Sequence, residues 1–144
     1  MTMVRDAMTP GVDAVSPSQP LRDAAQLMKV GDFGSVPVVE GGRVIAMLTD
    51  RDIVVRAVAQ GLDPDTAQVG EIASTGPVTV TADQDLDEAL ALMARHRVRR
   101  LPVVDDGNKL VGVLSQADVA LEAKEKQTGE VVQEISQPTS TPRE

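Results

Sequence analysis

Apolar residues recur along this chain in two alternating rhythms. Over residues 21–28 they fall at Leu21, Ala24, Ala25 and Met28, and over 86–93 at Leu86, Ala89, Leu90 and Met93. These i, i+3, i+4, i+7 spacings put them on one face of a helix. Each helix follows a short apolar stretch (residues 12–15 and 78–80) and a turn containing Ser18 or Asp83, both good N-caps. Next come pairs of β-rich runs, 36–39 with 44–48 and 101–104 with 110–114. Glu40-Gly41-Gly42 and Asp106-Gly107-Asn108 interrupt them, which predicts two hairpins. A second helix is expected to start at Thr49 or Ser115, and Gly61 is placed to end the first of these.

The two halves are copies of one unit. Residues 4–39 lie on residues 69–104 without a gap, at a constant offset of 65 from Pro37 to Pro102. After one turn that is a residue longer, AMLTDRDI (46–53) meets GVLSQADV (112–119). An internal repeat means one structural unit used twice, here β-α-β-β-α. The expected division is 1–62, 63–126 and a polar, flexible tail over 127–144. A transient helix over residues 130–135 that docks on a partner is an alternative for part of that tail. Repeats of this size carry marginal cores alone, so the two are expected to pack as an obligate pair in an α/β (α+β) fold.

Composition narrows the chemistry. Phe33 is the only aromatic residue, so the core must be aliphatic and no aromatic platform exists for stacking nucleic-acid bases. With no cysteine, thiolate metal sites and disulfides are excluded, and with one histidine, His96, a His-rich zinc site is not expected. His96 itself reads as a solvated helix-end residue. The formal net charge of −8 disfavours nucleic acid and anionic membrane as partners. No apolar run is long enough to span a membrane, so a cytoplasmic protein is expected. No activated nucleophile, Gly-rich phosphate loop or metal cluster is evident, which argues against an enzyme with catalytic residues of its own.

The sharpest local signal is hydroxyl-x-x-Asp at the end of each hairpin, Thr49 with Asp52 and Ser115 with Asp118. One reading is a capping box, in which the Asp reaches back to the N-cap amide. The other is a ligand site: a helix N-terminus offers free N–H groups to phosphate, and a carboxylate accepts from both hydroxyls of a ribose. Spacing alone leaves both open.

These motifs together resemble the CBS domain. The doubled unit, the Pro-Val-Val strands and the twice-repeated hydroxyl-x-x-Asp ending are all similar to a tandem CBS pair, called a Bateman module. MLTDRDIV, GLDPDTA and HRVRRLPV are similar to stand-alone actinobacterial two-CBS proteins of the hypoxic-response type. The resemblance spans about residues 4–124. It implies sheets packed about a pseudo-twofold axis, and two clefts that hold an adenosine-containing ligand: AMP, ADP, ATP, S-adenosylmethionine or NAD. No cofactor is required. In those clefts Thr49 and Ser115 would contact phosphate or ribose, Asp52 and Asp118 the ribose hydroxyls, and Arg99 and Arg100 the phosphates.

Strand alternation leads us to expect one arginine of the pair, preferably Arg100, to face a cleft. Gly34 and Ser35 stand at the equivalent positions of the first repeat, so the clefts are expected to be unequal, with phosphate held mainly where Arg100 projects, in either the Thr49/Asp52 or the Ser115/Asp118 cleft. Ala46 replaces the family's frequent glycine and is expected to crowd a ligand. The resemblance further implies a homodimer of modules, and a regulatory role signalled to an effector protein the sequence does not identify. The competing reading is a structural dimerisation module with empty or vestigial clefts.

Overall fold

The computed structural model describes residues 2–11 and 13–124, so the proposed tail and Val12 lie outside it. In chain order the elements are α1 (Val4–Ala7), β1 (Thr9–Pro10), α2 (Leu21–Gly31), β2 (Ser35–Glu40) and β3 (Arg43–Thr49). Then α3 (Asp50–Asp52) runs into a π-helical segment, Ile53–Val58. The second half supplies α4 (Val69–Ile72), β4 (Ser74–Thr75), β5 (Val80–Thr81), α5 (Leu86–His96), β6 (Arg100–Val104) and β7 (Leu110–Ser115). A last helix, α6, covers residues 116–124.

The elements form two sheets, β1-β7-β6-β5 and β2-β3-β4. The predicted hairpins are β2–β3 and β6–β7. Their tips meet: Val44 N–H donates to the Asn108 carbonyl (3.1 Å) and Leu110 N–H to the Gly42 carbonyl (3.1 Å). The short apolar stretches pair parallel to the hairpins, β5 with β6 and Val15 with Val38.

Each repeat completes its neighbour. β1, from the start of the first repeat, pairs with β7 of the second, and β4, from the start of the second, pairs with β3 of the first. Val4 is fully buried in the cluster around Leu101, Leu114 and Met93, while Val69 and Ile72 are buried with Leu21, Val36 and Leu48. The backbone repeats the exchange bond for bond. Val4 N–H donates to the Gln84 carbonyl and Val69 N–H to that of Gln19, both at 2.9 Å. The core is therefore two clusters, each built from both halves.

The helix starts differ from the expectation. Ser18 and Asp83 do not cap; the N-cap positions are Pro20 and Asp85. The intervening turns are held by glutamines, Gln19 Oε1 accepting from Ser16 N–H (2.8 Å) and Gln84 Oε1 from Thr81 N–H (3.1 Å). That spends two residues before the helix can begin. Pro20 has no side chain to cap with, so Leu21 N–H donates instead to the Ala67 carbonyl (2.8 Å) of the exchanged segment. The π-helical segment ends at Val58 with Ala59 as its C-cap, earlier than the expected stop at Gly61, which turns the chain two residues beyond with a φ of +73°.

Candidate ligand-binding cleft

The β7–α6 junction opens onto a cavity of about 720 Å³. Ser115 ends β7, and its hydroxyl oxygen accepts from Asp118 N–H at 3.0 Å. That bond caps α6 and holds the first turn open to the cavity. The Asp118 carboxylate does not turn back to complete the box; its Oδ2 accepts from the Thr9 hydroxyl (3.1 Å). Thr9 sits opposite Val113 because β1 crosses from the first repeat. The wall of this cavity is thus assembled from both halves of the chain.

Arg99 and Arg100 line the same cavity. The expectation that only one would do so is corrected. Strand β6 begins at Arg100, so Arg99 lies before it and alternation does not apply. Arg99 is exposed. Arg100 is half-buried, with its guanidinium 4.5 Å from the centre of the Phe33 ring and donating to the Ser35 carbonyl. Burial pushes the Arg100 pKa down, and the carboxylates of Asp118 and Asp13 pull it back up.

Phe33 reaches this place because Gly31 leaves room for it: a Cβ on Gly31 would lie 2.1 Å from the ring. Phe33, Thr9, Asp13, Asp32 and Gln116 line the cavity but were not among the residues singled out from sequence. Phe33 carried a usable signal, as the single aromatic side chain of the molecule.

Thr49 and Asp52 do not join this cavity. They occupy the pseudo-equivalent junction of β3 and α3, where the capping box closes in full. Thr49 Oγ1 accepts from Asp52 N–H (3.0 Å), and Asp52 Oδ2 accepts from Thr49 N–H (3.1 Å). Asp52 Oδ1 also accepts from the Ser74 hydroxyl at 3.4 Å, the counterpart of the Thr9–Asp118 bond. Of the six residues singled out, the structure therefore gathers Arg99, Arg100, Ser115 and Asp118, and sets Thr49 and Asp52 apart. Ala46 is packed in the first core cluster, 4% exposed, with no place in the cavity wall.

The CBS-domain family model matches residues 4–58 and 69–125. The CBS domain-containing protein YhcV of Bacillus subtilis is 47% identical over 84% of this chain and 85% of its own length. Hypoxic response protein 1 of Mycobacterium tuberculosis is 40% identical over 96% of each chain. A crystal structure of Hypoxic Response Protein I with two coordinated zinc ions has a TM-score of 0.76, covering 83% of this chain and 97% of that one at 42% identity. The crystal structure of CBSX2 in complex with AMP has a TM-score of 0.77 at 26% identity, covering 88% and 99%. This chain has no cysteine and one histidine, and among the described residues no group of three or more suitable side chains is placed to hold a metal.

Proposed function

This chain belongs to the CBS-domain family, of which it carries two copies, and from that premise we propose that it is a regulatory module sensing an adenosine-containing nucleotide. The observation that carries this reading is the convergence of Ser115, Asp118, Arg99 and Arg100 on one cavity. The Asp118 carboxylate is positioned to accept ribose hydroxyls. The two guanidiniums supply donors for phosphate. The AMP complex of CBSX2 supports the ligand class. Thr49 and Asp52 form the weaker seat, because a ligand there has to compete with a closed capping box.

A nucleotide panel in a thermal-shift assay tests the reading. A ligand at 100 times its dissociation constant stabilises the fold by about 2.7 kcal/mol, and no shift with any adenine nucleotide or adenosyl compound refutes it. Arg100 gives a finer test. Arg100→Ala is expected to weaken AMP about tenfold while leaving adenosine within about twofold, since the charge-assisted bond is made only to phosphate. AMP binding should also become less sensitive to salt. Calorimetry on both ligands reads this, and equal losses for the two would show that Arg100 touches no phosphate.

The module also carries apolar surface suited to assembly. Val54, Val55 and Val58 on the π-helical segment are 57%, 46% and 67% exposed, and Leu121 on α6 is 56% exposed. Apolar helix surface of this kind suits an isologous homodimer, whose face an effector protein reads. Sedimentation at tens of micromolar is expected to show a dimer and, for Val58→Asp, a monomer. A monomeric parent protein overturns the assembly. No helix among the described residues is long and apolar enough to cross a membrane, and we place the module in the cytoplasm.

A further inference from the structure

The two repeats carry opposite charges at a structurally matched position beside the cleft. α2 ends at Asp32 with φ 56° and ψ 49°, and α5 ends at Arg97 with φ 55° and ψ 44°. Both are left-handed C-cap residues, and the offset of 65 that superposes the repeats superposes these two. A carboxylate therefore occupies the place where the other copy has a guanidinium. Glycine or asparagine would be the easier residue in that backbone conformation, yet each copy carries a full charge. Asp32 lines the Ser115/Asp118 cavity together with Asp13.

The two cations of that wall are opposed by three carboxylates, Asp13, Asp32 and Asp118. Arg100 is already engaged with Phe33 and Ser35, and Asp13 and Asp32 are both exposed at the rim. One phosphate can be met by Arg99 and Arg100. A longer phosphate chain brings further negative charge into the range of Asp32 and Asp13, where like charges repel.

We infer that Asp32 is a specificity-determining residue that limits the Ser115/Asp118 cleft to adenosine ligands bearing no more than one phosphate. This rests on the reading that the cleft holds an adenosine ligand. The repulsion is electrostatic and solvent-exposed, so it weakens as ionic strength rises.

Calorimetric titration of the full chain with adenosine, AMP and ATP tests it, with Asp118→Ala identifying the isotherm that belongs to this cleft. The parent protein is expected to hold AMP about tenfold more tightly than ATP, with the gap narrowing in salt. Asp32→Arg should tighten ATP about tenfold and leave adenosine within about twofold. Arg97 shows that the backbone position accepts arginine. Asp32→Asn, which suits a left-handed residue, should tighten ATP in the same direction by less. If all three ligands bind and neither variant changes their ranking, the role of Asp32 is overturned while the nucleotide reading stands. If none binds, both fall.

Discussion

Asp118→Ala is expected to weaken an adenine nucleotide by about tenfold to a hundredfold and to leave the fold nearly as stable as before. Hydrogen bonds to a charged group contribute roughly 1.5–3 kcal/mol each, and ribose hydroxyls are the donors that a carboxylate in this position would lose. What the fold loses is one exposed bond from the Thr9 hydroxyl. The Ser115 cap survives, because it uses the backbone of residue 118. Asp52→Ala should show the opposite balance. It removes the half of a closed capping box that satisfies Thr49 N–H, at a cost of about 1 kcal/mol, with the dominant binding isotherm unchanged. Chemical denaturation and calorimetry on each mutant give both quantities. Asp118→Ala with intact binding would mean that this carboxylate only ties β1 to α6.

Ile72→Ala is expected to destabilise the whole molecule by about 2–5 kcal/mol, the range for truncating a large aliphatic side chain in a core. Ile72 belongs by sequence to the second repeat and is 3% exposed among residues of the first. Its loss should therefore lower a single unfolding transition common to both halves. A scan by differential calorimetry that resolves two transitions, with only one displaced, would show that the repeats unfold independently despite the exchange.

Much of the fold was legible because its signals are local. Leu21, Ala24 and Met28 and their counterparts Leu86, Ala89 and Met93 are buried as the 3.6-residue period requires. The Gly- and Asn-rich breaks became hairpin turns. The exchange of residues 2–10 with 67–75 could not be seen. In a repeat both docking partners carry the same pattern, so a segment that packs on its own copy and one that packs on the other look alike. The cleft shows the same limit. Hydroxyl-x-x-Asp marks both helix starts, but Asp52 turns back to its N-cap while Asp118 turns to Thr9, 109 residues away. Ser18 and Asp83 were misplaced as caps for a local reason: Gln19 and Gln84 mimic a backbone turn, and the period of the helix does not record where such a turn ends. Asp32 and Phe33 lie in a short connection where no periodicity applies.

The crossing of β1 and β4 also says what the connection over residues 62–66 is for. Two chains that trade their opening segments form an intertwined pair whose survival depends on concentration. Joining them end to end holds each half near its complement at an effective concentration of about millimolar, however dilute the protein. The cavity that Thr9 and Asp118 line is thereby secured against dilution: neither wall can drift away without unmaking both cores. A ligand lodged there touches both halves of the chain, which are already held together, so none of its binding energy goes into bringing them together.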